Sequence, residues 1–121
     1  MVEVCLIIKP SFTRMDIIHD VMNTFGIGVL INENSVWGIL TREQAEFHYE
    51  EHKDKPFFNT LVEYLISDTS IAIRAEVESV EIARELTTKI REKYSTSRMH
   101  NVLHCSDSVE AAKREIENIF I

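Results

Sequence analysis

Apolar positions recur along the chain in two rhythms. Val2 to Ile8 is an almost continuous apolar run rich in β-branched residues, the pattern of a central strand buried on both faces. Lys9-Pro10 ends it, because proline cannot extend a ladder. Over residues 13–25 the spacing becomes helical, with Ile17, Ile18, Val21, Met22 and Phe25 on one stripe. Gly26 follows where a left-handed C-terminal cap belongs. Residues 27–40 read as a second strand, with room for a break near Asn32-Glu33-Asn34.

Thr41 is a good N-cap for a helix over residues 42–51, and Gln44 completes a capping box. Pro56 suits the first turn of a short helix ending near Ser67. Residues 70–76 are strand-like. Val80, Ala83, Leu86 and Ile90 form a further helical stripe. Residues 101–105 predict a short strand, and Ser108 can cap a last helix through Ile119. The order is β-α-β-(αα)-β-α-β-α. Its two strand-helix-strand passages predict an α/β sandwich of ferredoxin-like topology, a four-stranded antiparallel sheet with added helices.

At 121 residues, the chain is expected to be one domain, residues 1–121. No apolar run reaches the ~20 residues of a membrane helix. The start, Met1-Val2-Glu3-Val4, lacks the basic segment of a signal peptide. The net charge of −7, without a Lys/Arg run, argues against nonspecific binding to nucleic acid or a membrane surface. A polyanionic ligand would need a local basic cluster helped by a divalent metal. Cys5 and Cys105 form neither a disulfide framework nor a metal motif, and a cytoplasmic setting is expected.

No phosphate-binding glycine loop occurs; Gly26-Ile27-Gly28 is only a pair and follows a helix. His48 and His52 stand at i and i+4, a metal-ligand spacing without an obvious third ligand; solvated or capping roles compete. His104 and Cys105 are adjacent on a strand and so face opposite ways, a poor nucleophile–base pair. Lys9 ends a strand, where α/β sheets tend to bind ligands, or is simply solvated. His104, Ser106, Asp107 and Glu115 form the densest polar group, which could equally be a capped helix start.

The stretch from Asn101 to Glu115 is similar to the active-site segment of nucleoside diphosphate kinases, Asn-x-x-His-Gly/Ala-Ser-Asp-Ser followed by a helix carrying a Glu. Leu6-Ile7-Ile8-Lys9-Pro10 resembles that family's first strand. His48-Tyr49, with Pro56-Phe57-Phe58 and Leu61-Val62-Glu63-Tyr64, resembles a further segment in the same order. The resemblance implies transfer of a terminal phosphate from a nucleoside triphosphate to a nucleoside diphosphate, ping-pong, with little base specificity. It makes His104 the phosphorylated nucleophile, Glu115 the carboxylate that holds its ring, and Ser106 a hydroxyl neighbour. It gives Lys9 and Tyr49 to phosphate, Asn101 and Lys9 to the sugar hydroxyls, Phe57 and Leu61 to the base, and Arg84 and Arg91 to phosphates. It also implies Mg²⁺ held mainly by the nucleotide phosphates, and a homo-oligomer, a hexamer built from dimers. A nucleotide-binding or regulatory module with impaired catalysis, and a histidine phosphocarrier, are the rival readings.

The chain departs from the family pattern at Ser11, Met15 and Cys105, and most of all between Arg84 and Arg91, where only six residues stand in place of a longer excursion. Such a shortening removes a phosphate-binding threonine and part of a trimer contact, so a looser hexamer or a dimer is expected. No Pro or Gly interrupts residues 80–94, which predicts one unbroken helix through Arg91. Arg84 and Arg91 then lie about 20° apart around the axis and about 10 Å apart along it. Thr88, about 40° from Arg84, would replace the missing threonine. An ordinary solvated helix face is the competing reading.

Overall fold

The computed structural model describes residues 1–28, 33–97 and 100–120. In chain order the elements are β1 (Val2–Ile8), α1 (Met15–Phe25), β2 (Ser35–Gly38), α2 (Arg42–His48), a 3₁₀ turn (Glu50–His52), α3 (Phe58–Leu65), β3 (Ser70–Val77), α4 (Val80–Tyr94), β4 (Leu103–Cys105) and α5 (Val109–Phe120). The sheet order is β2-β3-β1-β4, and every neighbouring pair is antiparallel. This is the ferredoxin-like arrangement.

Alternation along β1 divides the interior in two. Val4, Leu6 and Ile8 pack with Ile17, Ile18 and Val21 of α1 and Ala83 and Ile90 of α4. Cys5 and Ile7 face the opposite layer, with Ala45, Val62, Leu65, Ile116 and Ile119 of the remaining helices. Register then fixes the placement of β4. His104 lies opposite Ile7, and Cys105 opposite Leu6. Residues directly opposite in an antiparallel pair share a face, so His104 points toward α5 and Cys105 toward α4.

The sequence signals at the helix ends take the expected forms. Gly26 adopts φ 68° and its N–H donates to the Met22 carbonyl. Thr41 and Gln44 make both bonds of the capping box. Ser108 accepts from the Ala111 N–H at 3.0 Å. Several boundaries move. The first helix begins at Met15 rather than Thr13. The helix read over residues 42–51 ends at His48, because Tyr49 turns its ring into the core and the chain tightens into the 3₁₀ turn. Pro56 precedes α3 inside a turn closed by Phe58 N–H to the Lys55 carbonyl, 3.1 Å. Of the strand read over residues 27–40, only Ser35–Gly38 pairs with β3; residues 29–32 lie outside the described residues, and Glu33 and Asn34 form a turn.

α4 runs without a break from Val80 to Tyr94. Arg84 and Arg91 therefore stand two turns apart on one straight element, as the absence of Pro and Gly predicts.

Candidate active site

His104 is carried by the short strand β4 and Glu115 by the second turn of α5. His104 Nε2 lies 2.9 Å from Glu115 Oε1, and the Ser106 hydroxyl donates to the same oxygen at 2.6 Å. Ser106 is fully buried and its Oγ also accepts from the Cys5 N–H at 2.9 Å. The carboxylate is thus fixed by a hydroxyl that the sheet itself fixes. An acidic partner on Nε2 makes that nitrogen the donor and leaves the Nδ1 lone pair available.

A cleft of about 470 Å³ opens over the imidazole, lined by Lys9, Tyr49, Arg84, Arg91, His104 and Glu115 among others. Lys9 continues β1 and is nearly buried, 5% exposed. Burial, with the nearby Arg91, lowers its pKa to about 8. The turn behind it is held from α3, where the Tyr64 hydroxyl donates to the Pro10 carbonyl at 2.8 Å. Ser11 takes φ 74° in that turn. Arg91 Nε donates to the Leu103 carbonyl at 2.7 Å, which docks the guanidinium beside β4. Its pKa is lowered, mostly by burial, with repulsion from Arg84 contributing. Tyr49 is buried with its hydroxyl unpartnered, and burial raises its pKa to about 12. A buried hydroxyl without a partner costs about 1–3 kcal/mol, a penalty that a bound oxyanion would remove.

Lys9, Tyr49, Arg84, Arg91, His104 and Glu115 therefore converge on one cleft, with Ser106 behind it. Four expected residues stand apart. Phe57 is exposed and Leu61 half-buried, one helical turn along α3. Neither lines the cleft, but the Phe57 ring lies 5.7 Å from that of His52, which does. Asn101 borders a neighbouring depression that shares Arg91 with the cleft. Thr88 lines a small recess between the two arginines, with Thr87 and Cys105. Its hydroxyl donates to the Arg84 carbonyl at 3.0 Å.

Sequence reasoning gave His48 no place beside His104. Their rings meet edge to face, with centroids 4.4 Å apart. Burial holds His48 well below the usual histidine pKa, and His104, Lys9 and Arg114 push the same way. Arg114, one residue before Glu115, also lines the cleft and lies over the Phe47 ring. The signal for His48 was its i,i+4 spacing with His52; the actual neighbour comes from another element. Cys105 faces the α4 layer, and its thiol pKa is raised, chiefly by burial.

Fold and cleft together define an α/β sandwich protein with a cleft of mixed charge, in which Lys9, Arg84, Arg91 and Arg114 and several carboxylates surround a carboxylate-bound imidazole. Comparison with known proteins narrows this. Residues 3–121 match the family described as nucleoside diphosphate kinase, and the chain belongs to that family. A relative from Staphylothermus marinus is 35% identical over 95% of this chain and 89% of its own length. One from Caldanaerobacter subterraneus is 37% identical, covering 91% and 87%. Both carry the name nucleoside diphosphate kinase. The apo nucleoside diphosphate kinase of Encephalitozoon cuniculi superposes with a TM-score of 0.84 at 29% identity, over 98% of this chain and 88% of that one. A halophilic one from Halobacterium salinarum, in complex with CDP, gives 0.80 at 26%, over 96% and 85%.

Proposed function

We propose that this chain moves the terminal phosphate of a nucleoside triphosphate to a nucleoside diphosphate through a phosphorylated His104. The observation that carries this reading is the His104–Glu115–Ser106 chain of contacts at the floor of a cleft bearing Lys9, Arg84 and Arg91. Glu115 engages Nε2, so Nδ1 is the attacking nitrogen. Its lone pair forms the bond to the terminal phosphorus while the bond to the bridging oxygen breaks, and the diphosphate leaves with those electrons. The Nε2 proton stays between ring and carboxylate, which stabilises the positive charge that develops on the imidazole. In the second half-reaction a terminal oxygen of the acceptor diphosphate attacks phosphorus, and the P–N bond breaks.

Phosphoryl transfer is mainly positioning and charge neutralisation. Lys9, Arg84 and Arg91 supply the cations, and the Tyr49 hydroxyl can donate to a phosphate oxygen. Two long side chains about 10 Å apart on one helix can close on adjacent phosphates. Thr88, in the recess between them, takes the part of the absent loop threonine. Phe57 and Leu61 form a stacking edge for the base at the cleft mouth, and Asn101 with Lys9 addresses the sugar.

Mg²⁺ fits as a partner of the nucleotide phosphates. Among the described residues the one compact donor set is His48, His104 and Glu115, not the oxygen cage that magnesium prefers. When bound, Mg²⁺ supplies charge neutralisation across the phosphates. The domain, residues 1–121, would act in the cytoplasm as a hexamer built from dimers or, with the segment before Arg91 shortened, as a dimer. No described helix is long and apolar enough to cross a membrane. A catalytically silent binding module gives no reason to hold an imidazole by Nε2 with Nδ1 left free.

The test is a steady-state assay with ATP and, separately, GDP, CDP, UDP and dTDP. Triphosphate should form from each, with parallel double-reciprocal lines. Absence of transfer to every acceptor would overturn the reading.

A further inference from the structure

His48, His104 and Glu115 each present one ligand atom, and these atoms all lie within 4.8 Å of one another. Two imidazoles and one carboxylate are a donor set that zinc uses in open, catalytic-type sites. From this geometry we infer that the three residues form a site for a borderline divalent cation, Zn²⁺ in particular, that competes with phosphoryl transfer for His104.

The separations suit it. Tetrahedral zinc, with bonds of about 2.0–2.2 Å, holds its donor atoms roughly 3.3 Å apart. The His104–Glu115 contact is already 2.9 Å. The ring of His48 stands edge-on to that of His104, with centroids 4.4 Å apart, and the ligand atoms of all three residues, within 4.8 Å of one another, must close further on the ion. His48 is also poorly served where it is. Its Nδ1 is buried and has no hydrogen-bond partner. Ser106, which donates to Glu115, would orient the carboxylate for a metal as it does for a proton.

Donor chemistry sets the selectivity. Lys9 and Arg114 line the cleft with His48, as do Glu51, Asp107 and Glu110, so the surroundings carry little net attraction for a cation held by charge alone. Mg²⁺, which takes oxygen ligands and keeps its waters, gains little here. An ion with real affinity for imidazole nitrogen does not depend on the net field in the same way. The enzyme would then treat two divalent ions oppositely, magnesium arriving with the nucleotide and zinc taking His104 Nε2, which leaves the ring proton on Nδ1 and so removes the attacking lone pair.

Zinc binding is measured on the whole chain without nucleotide, by titration calorimetry and by the visible absorption of Co²⁺ in its place. One ion per chain is expected, not displaced by millimolar Mg²⁺, with a tetrahedral cobalt spectrum. His48→Phe and Glu115→Gln should each weaken binding at least about tenfold, while His52→Phe should leave it unchanged. His48→Gln repeats the measurement if the phenylalanine variant folds poorly. No stoichiometric zinc, or zinc retained in the His48 variants, overturns the site. So does loss of zinc in His52→Phe as well as in His48→Phe with Glu115→Gln unaffected, which assigns the ion to the i,i+4 pair. Inhibition of turnover by zinc rests on the catalytic reading above, whereas binding does not. A chain that binds zinc at these residues yet forms no phosphoenzyme would overturn that reading and not this site.

Discussion

Lys9→Met should make the protein more stable and less active at the same time. Lys9 is 5% exposed and carries its charge in a place where burial and Arg91 both oppose it. Its pKa falls from 10.5 to about 8. At about 1.4 kcal/mol per unit, keeping the ammonium charged at neutral pH costs the fold up to about 3 kcal/mol. Methionine removes the charge and keeps an unbranched side chain of similar length, so a gain of about 1–3 kcal/mol is expected at pH 7. The sign reverses the usual histidine case. The folded chain loses the Lys9 proton near pH 8, whereas the unfolded chain keeps it until 10.5. Between these values the unfolded state binds more protons, so wild-type stability rises with pH. The advantage of the variant is therefore full below pH 8 and shrinks toward pH 10. Urea denaturation at fixed protein concentration, at pH 7, 8, 9 and 10, measures it. Phosphate transfer by the variant should fall about 100-fold or more, as for loss of one charged transition-state contact. A variant less stable than wild type at pH 7, or a stability difference that stays constant to pH 10, would refute the reasoning.

Phe57→Ala should weaken every base to a similar degree, by about 1–3 kcal/mol, read as Kd for GDP, CDP and UDP; a loss confined to one base would mean that edge hydrogen bonds set recognition. Arg84→Ala and Arg91→Ala should each reduce turnover, and Thr88→Val should cost roughly 1 kcal/mol in kcat/KM; a structure with nucleotide in which either arginine points away from the phosphates rejects the paired arrangement on α4. Light scattering across a dilution series should show an assembly that dissociates readily or stops at a dimer. A hexamer that persists at extreme dilution would show that the shortened segment is not needed for trimer contacts.

What the sequence made legible was local. The run from Val2 to Ile8 had to be central, because a strand apolar on both faces has no other stable place, and β1 is paired on both edges. Gly26, the Thr41–Gln44 box and Ser108 announced helix ends because each satisfies backbone groups within a few residues. The unbroken α4 followed from the absence of Pro and Gly. The site was legible where one short stretch carries it, from His104 to Glu115. What depends on long-range packing was not. Nothing in the order of residues tells that His48 meets His104, since α2 reaches β4 only once both pack on the sheet. The Tyr64 bond to Pro10 joins residues 54 apart. The end of α2 depends on where the Tyr49 ring finds its core, a tertiary preference that overrode a helical pattern.

The group that receives the phosphate decides between transfer through His104 and every rival reading. Labelled ATP with Mg²⁺, added without acceptor, should leave close to one phosphate per chain, labile in acid and stable in base. Peptide mapping should locate it on His104, and phosphorus NMR should assign it to Nδ1. Adding GDP should discharge it fully, and His104→Ala should carry none while keeping a wild-type fold. Stable label on another residue, or a His104→Ala protein that still forms a dischargeable phosphoenzyme, would contradict the account.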